Sequence, residues 1–161
     1  MNLGFRKVDY ADADMLLEWR NDITTRRNSY NMDLIDTETH YCWMKRVLAS
    51  EDLFFILQDA SVPVGMVRVA LDGDIGTISY NIAPAKRGCG YGKTLIQLLE
   101  NYILATGMSI RLRASVKKEN IASRKIFLRQ GFWETENAEY YIYEKSLMVH
   151  NDIARDLDDN R

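Results

Sequence analysis

The segment AKRGCGYGKTL, from Ala85 to Leu95, decides how this chain folds and which ligand it binds. Three glycines and three cations fall within it, after a strand-like run and before an apolar helical run. Glycines let the backbone approach a ligand, and the N-terminus of a following helix offers free N–H groups and a positive dipole end. The segment predicts a phosphate-binding loop; the alternative is a glycine-rich turn that only connects strand and helix.

Two common nucleotide-binding motifs each fail at one position of this loop. A P-loop ends in Gly-Lys-Thr, as the run from Gly92 to Thr94 does, but Arg87 occupies the place of its first glycine. The dinucleotide pattern G-x-G-x-x-G begins at Gly88, and Lys93 then replaces its third glycine. The pattern R-x-x-G-x-G fits at every position from Arg87 onward.

The residues on either side of the loop alternate between strand and helix periodicity. Strands are predicted over 5–8, 53–59, 64–71, 76–83 and 110–116, with a closing hairpin across 137–138 and helices after 12, from 37, after the loop and over 121–130. Asp12 is the predicted cap of the first helix, and Pro63 is placed in a turn. The strand, helix and strand around the loop imply a parallel crossover, so we expect an α/β fold, specifically an α+β mixed sheet.

Composition limits the classes of partner. The chain has 161 residues, 47% of them hydrophobic, and a formal net charge of -2, which favours one domain over residues 1–147 with a polar tail at 148–161 and no nucleic-acid partner. Cys42 and Cys89 lack metal-ligand spacing, so we expect no metal and a reduced, cytoplasmic protein. We also expect no secretory signal and no membrane span, because no stretch approaches about 18 apolar residues.

The loop and its flanks resemble the GNAT superfamily of N-acetyltransferases. ISYNIAP, at Ile78 to Pro84, occupies the place of that family's splayed strand, and NIASRKIFLRQGF, at Asn120 to Phe132, resembles its segment N-x-x-[AS]-x-x-x-[YF]-x-x-x-G-F. MLLEWRND, at Met15 to Asp22, resembles the first helix of members that acetylate amino sugars, antibiotics and protein N-termini. The resemblance covers roughly Phe5 to Leu147 and implies a GNAT-like fold with splayed central strands.

The resemblance also implies acetyl-CoA as the cofactor, and a set of site residues. The backbone of Ile82 and Ala83 would pair with the pantetheine amides. The other implied cofactor-binding residues are Arg87, Gly88, Cys89, Gly90, Tyr91, Gly92, Lys93, Thr94, Asn120, Ser123, Arg124 and Phe127. The implied substrate-binding residues are Trp19, Arg20, Asn21 and Thr77.

The usual catalytic side chains of the family are missing. Phe127 stands where many members carry a tyrosine acid, and Thr77 where many carry a glutamate base. Tyr141 is the candidate acid for the departing thiolate. The alternative acids are hydroxyls on the same or neighbouring strands, namely Tyr140, Tyr143, Ser79 and Ser115. A further alternative is catalysis by positioning, water and backbone polarisation, without a side-chain acid.

The implied reaction is direct attack of a primary amine on acetyl-CoA in a ternary complex. The front end of the chain favours a small acceptor, a nucleotide-linked amino sugar as in pathways of the pseudaminic-acid type. The alternatives are acetylation of a protein N-terminus, as for ribosomal proteins, and a non-catalytic acyl-CoA-binding module; a phosphate-binding NTPase is more remote. The resemblance makes a homodimer a reasonable expectation.

Overall fold

A computed structural model describes residues 1–149 of the chain, so the predicted tail lies outside the described residues from position 150 onward. The strands are β1 (Leu3–Lys7), β2 (Leu53–Asp59), β3 (Val62–Asp72), β4 (Ile75–Ile82), β5 (Ile110–Lys117), β6 (Trp133–Glu136) and β7 (Tyr140–Leu147). The helices are α1 (Ala13–Asn21), α2 (Ile23–Arg27), α3 (Thr37–Leu48), α4 (Tyr91–Thr106) and α5 (Ile121–Arg129). Short 3-10 turns occupy Tyr10–Asp12 and Pro84–Lys86.

These strands form one mixed sheet in the order β1-β2-β3-β4-β5-β7-β6. β1 to β4 form an antiparallel meander, and β4 and β5 are parallel neighbours joined by α4. β7 then inserts antiparallel between β5 and β6, which leaves β6 at the sheet edge. The predicted mixed α/β class and the crossover through the glycine loop are confirmed.

Helices cover the two faces of the sheet unequally. On one face α4 buries Leu95, Leu99 and Ile103, which recur every fourth residue and are fully shielded from solvent. α5 packs on the same face through Phe127. α1 and α3 cover part of the other face, where Trp19 joins a second core with residues of β2. No helix within residues 1–149 is both long enough and apolar enough to cross a membrane.

Two local predictions differ from the structure. The β2–β3 turn lies at Ala60 and Ser61, both with positive φ, and Pro63 belongs to β3 beside a shift in strand register. A register irregularity tolerates a residue that has no N–H to donate. The carboxylate of Asp12 accepts hydrogen bonds from Arg6 and from the backbone N–H of Asp9 instead of capping α1.

Candidate active site

The central feature of the sheet is the divergence of β4 from β5. Among residues 1–149, only Ile75 to Thr77 of β4 pair with β5, opposite Arg111 to Arg113, and the rest of the two strands diverges. The Arg111 N–H donates to the Asp74 carbonyl at 2.7 Å, so alternate residues from Asp74 onward direct their backbone groups toward β5. Ile82 is one of them and faces the gap.

Ala83 differs from its neighbour Ile82. Its N–H donates to the Val64 carbonyl of β3 at 2.9 Å, so this amide is already engaged within the sheet. The diverging strands therefore offer free backbone donors and acceptors from one edge of β4, at every second residue. A ligand that carries amide groups can pair there as an additional strand would.

The glycine loop stands at the open end of this gap and leads into α4. Gly88 and Gly90 have φ of +75° and +83°, a left-handed conformation that side chains rarely adopt. No side chain of the described residues caps α4, and the N–H groups of its first turn have no intrahelical partner. These donors at the end of a sixteen-residue helix fit the diphosphate of a CoA molecule.

Gly92 serves a different purpose from the other two glycines of the loop. A Cβ at this position would lie 2.6 Å from Cδ1 of Ile126 and 3.5 Å from the ring of Tyr80. The missing side chain lets α4 approach α5 and the free half of β4. The same residue type thus supports loop conformation at two positions and close packing at the third.

Arg87, the first residue of the R-x-x-G-x-G pattern, points away from the loop. Its Nη2 donates to Asp22 Oδ2 at 2.6 Å and to Thr25 Oγ1 at 2.9 Å, in the corner between α1 and α2. Burial draws the pKa of Asp22 upward, but hydrogen bonds from Arg87 and from the α2 backbone outweigh this and hold that pKa below its ordinary value. The guanidinium is therefore committed to a carboxylate.

The N-terminus of α5 meets the free half of β4 through two hydroxyls. Asn120 caps α5 by accepting from the Ser123 N–H at 3.3 Å. The Ser123 hydroxyl lies 2.6 Å from the hydroxyl of Tyr80 on β4. Burial raises the pKa of Tyr80, so its phenol stays protonated at neutral pH. Sequence reasoning missed Tyr80, although it lies within the quoted ISYNIAP segment.

The predicted acceptor residues of α1 brace the chain rather than line an open cleft. Trp19 is buried in the core beneath α1. Asn21 exchanges two hydrogen bonds of 2.8 Å with the backbone of Ile35, and Arg20 donates to the Asn31 carbonyl at 2.7 Å. These contacts hold the segment that follows α2, residues 28–36, which we call the α2–α3 loop.

The acetyltransferase (GNAT) domain family matches residues 2–133, more than half of the chain. The chain belongs to the GNAT acetyltransferase family. It is an N-acetyltransferase with acetyl-CoA as the acyl donor, and the prediction of family, fold and donor is confirmed.

Solved GNAT structures share this fold at low sequence identity. The putative acetyltransferase yncA from Salmonella typhimurium, solved with acetyl-CoA, has a TM-score of 0.74 and 20% identity, covering 98% of this chain and 99% of its own. A ribosomal-protein-alanine N-acetyltransferase from Brucella melitensis has a TM-score of 0.76 and 22% identity, covering 89% and 99%. A phosphinothricin acetyltransferase from Sinorhizobium meliloti with acetyl-CoA has a TM-score of 0.77 and 15% identity, covering 92% and 90%.

These structural matches establish the fold, and their acceptors differ from one another. No protein of curated function matches the sequence. The acceptor of this GNAT domain must therefore be argued from its own side chains.

Phe127, Tyr141 and Tyr143, three of the positions considered for the acid in this GNAT domain, lie on the face of the sheet that α5 covers. Phe127 is fully buried and stacks on Tyr143 with ring centroids 5.3 Å apart. Tyr143 is itself buried and donates to Glu134 at 2.6 Å; burial, followed by this hydrogen bond, raises its pKa to about 12. Tyr141 is half-buried, with the Arg124 guanidinium 3.7 Å above its ring. Arg124 is therefore engaged with an aromatic face.

The opposite face of the diverging strands carries a polar row. Thr77 of β4 pairs with Arg113 of β5, and Arg113 pairs with Glu144 of β7, so the three side chains point to the same side at the point of divergence. Arg113 Nη2 lies 3.3 Å from Glu144 Oε2. Glu144 is a carboxylate that sequence reasoning missed, because only strand pairing brings it to this row.

The cations of β5 extend this polar face, which we call the open face. The residues of β5 that alternate with its buried positions are Arg111, Arg113, Ser115 and Lys117. Lys117 donates to the backbone carbonyl of Arg27 in α2 at 2.8 Å. Tyr140, opposite Lys117 on β7, packs against Tyr30 of the α2–α3 loop with ring centroids 4.5 Å apart and the rings tilted by 37°. The open face is therefore basic along β5 and walled by α2 at one end.

Proposed function

We propose that this protein acetylates the primary amine of a small anionic acceptor, a nucleotide-linked amino sugar, by direct attack within a ternary complex. The donor lies between β4 and β5, with its diphosphate at the N-terminus of α4. The acceptor reaches the point of divergence from the open face. The observation that carries the acceptor class is the line of cations on β5 beside Thr77.

The charge of the open face separates acceptor classes. Arg111, Arg113 and Lys117 lie on it, and Glu144 of β7 is the carboxylate paired with Arg113. A polyamine or an aminoglycoside would be repelled by such a surface, since like charges in close contact are unfavourable. A sugar linked to a nucleoside diphosphate brings two phosphates that arginine binds well.

A second acceptor class has its own support. The α2–α3 loop exposes Tyr30, Met32 and Leu34, which are 68%, 53% and 66% accessible. Exposed apolar side chains beside a basic strand also suit the N-terminal segment of an acidic protein. This alternative agrees with the protein substrate named for the Brucella melitensis relative.

Acetyl-CoA, when bound, supplies an activated thioester. The side chains of the protein must then support two proton transfers. The attacking amine must lose a proton, and Glu144 is the carboxylate that lies in the row at the divergence. The departing sulfur must gain a proton, and the Tyr80–Ser123 hydroxyl pair spans the gap between β4 and α5. The sequence-based candidate, Tyr141, stays a prediction alongside this pair.

The test is release of free CoA from acetyl-CoA with a panel of amines: nucleotide-linked amino sugars, the same sugars without the nucleotide, N-terminal peptides, polyamines and aminoglycosides. We expect turnover with the nucleotide-linked sugars and a KM that rises with salt, because phosphate contacts on a basic surface are screened. Turnover restricted to peptides would favour the protein acceptor. Turnover restricted to polyamines would contradict the charge argument.

The Glu144→Gln variant tests the base on the best acceptor found. We expect kcat to fall by about 100-fold or more at neutral pH and to recover partly as the pH rises, because more of the amine is then unprotonated. Glu139→Gln, in the β6–β7 turn, is the matched control and should leave kcat unchanged. Equal rates in the Glu144→Gln variant and the parent protein would remove Glu144 as the base.

A further inference from the structure

We propose that Arg87 is a positioning residue that holds the acceptor wall to the cofactor loop, and that it is not a phosphate ligand. The wall is α2 with the α2–α3 loop; its role toward an acceptor rests on the proposed function, whereas its attachment to Arg87 does not. The proposal begins from the direction of one side chain, which leaves the glycine loop and reaches the α1–α2 corner.

The corner that Arg87 reaches is itself a hydrogen-bonded junction. Asp22 Oδ2 accepts from the backbone N–H groups of Thr24 and Thr25, each at 3.1 Å, and so caps α2. The same oxygen accepts from Arg87 at 2.6 Å. Thr25 Oγ1 accepts from Arg87 and donates to Asn81 Oδ1 on β4 at 3.1 Å. One guanidinium therefore contacts both the cap and the first turn of α2.

α2 bridges the open ends of the diverging strands. Through Thr25 it contacts Asn81 near the end of β4, and through the Arg27 carbonyl it contacts Lys117 at the end of β5. Asn81 also donates to the Trp19 carbonyl at 3.1 Å, which ties α1 to the same place. Where the sheet ladder stops, side-chain contacts to this short helix set the position of the two strand ends.

The α2–α3 loop continues this bridge toward β7. Arg26 Nε donates to the Met32 carbonyl at 2.9 Å, and the ring of Tyr30 packs against that of Tyr140. Displacement of α2 therefore moves the surface that an acceptor meets at the open face. Because Arg87 belongs to the cofactor loop, its ion pair makes the position of that surface depend on the loop.

The alternative role for Arg87 predicts a different response to mutation. If Arg87 divides its time between Asp22 and a phosphate, Asp22→Asn frees the guanidinium and CoA binds more tightly, while Arg87→Ala weakens CoA binding. If Arg87 only positions α2, the two variants act in the same direction on α2 and leave CoA affinity alone. Asn is as good a helix cap as Asp, so Asp22→Asn removes charge without removing the cap.

The experiment measures CoA affinity by calorimetry and backbone hydrogen exchange over residues 22–28 in Arg87→Ala, Asp22→Asn and the double variant. We expect a CoA Kd within about threefold of the parent in all three, and similar acceleration of exchange that is not additive in the double variant. Arg6→Ala is the matched control. It breaks the 2.7 Å ion pair between Arg6 on the edge strand β1 and Asp12, and it should leave exchange over 22–28 unchanged.

Opposite changes in CoA affinity, with Arg87→Ala weaker by about tenfold or more and Asp22→Asn tighter, would overturn the proposal. Additive effects on exchange would overturn it as well. Arg87→Lys guards against misfolding of the alanine variant, since it keeps the charge and should restore part of the protection. With an amine that turns over, Arg87→Ala should raise the acceptor KM and not the acetyl-CoA KM. Lack of turnover with every amine would count against the proposed function alone.

Discussion

The hydroxyl pair between Tyr80 and Ser123 offers the sharpest single test of the active site. The two oxygens lie 2.6 Å apart, and Ser123 is 8% accessible. Tyr80→Phe leaves the serine hydroxyl without this partner in a buried site, and Ser123→Ala leaves the phenol in the same position. Each single change should cost about 1 to 3 kcal/mol of unfolding free energy, because a buried hydroxyl loses its hydrogen bond.

The double variant, with both hydroxyls removed, should be more stable than the sum of the single costs predicts. It strands no polar group, so a coupling energy of about 1 kcal/mol or more is expected between the two sites. Denaturant unfolding of the four proteins, followed by circular dichroism, measures the coupling. Additive single costs would show that the two oxygens do not depend on each other, and would refute the reasoning.

The same variants separate stability from catalysis. If the pair supplies the proton to the departing sulfur, Tyr80→Phe lowers kcat by about 100-fold or more while CoA affinity stays close to that of the parent. Tyr141→Phe is the matched comparison: it removes a phenol from the ring that packs under Arg124. A loss of kcat in Tyr141→Phe, with none in Tyr80→Phe, would identify Tyr141, the sequence-based candidate, as the acid.

Three further predictions concern the cofactor loop and the fold. Acetyl-CoA at ten times its Kd should slow alkylation of exposed Cys89 by about tenfold and leave alkylation of exposed Cys42 unchanged. Mass spectrometry of iodoacetamide adducts measures both rates. Equal protection of the two cysteines would contradict the placement of acetyl-CoA at the glycine loop. Lys145→Met should lower the free energy of unfolding by about 3 to 5 kcal/mol, because it leaves the buried carboxylate of Glu100 on α4, which lies 2.7 Å from Lys145, without its charged partner. Denaturant unfolding measures this change, and a loss below about 1 kcal/mol would contradict the prediction. The hydrogen bond from Arg6 lowers the pKa of Asp12, so its contribution to the free energy of unfolding is complete above about pH 4 and is lost as the pH falls below that value. In Arg6→Met, the free energy of unfolding should therefore depend less on pH in this acid range.

Much of the fold was predictable because its signals are local. The helix after the loop ends at Gly107, which has a φ of +73°, and the last helix is followed by Gly131 with a φ of +80°. Periodic apolar residues marked α4, and the crossover rule placed β5 parallel to β4. α2 was missed, since five residues are too few to show a period. Pro63 was misplaced because its tolerance depends on a register shift that arises between two strands.

The site divides along the same line. Sequence alone determined the glycine loop and the cap of α5, because both are continuous segments whose backbone conformation follows from nearby residues. Only the tertiary structure decided which side chains meet on the open face and at the α1–α2 corner. Strand pairing brought Glu144 to Arg113 from 31 positions away, and the α1–α2 corner drew Arg87 across 65 positions to Asp22. A carboxylate near a guanidinium outcompetes solvent only when the folded sheet holds them together, and a motif that names Arg87 contains no information about that partner.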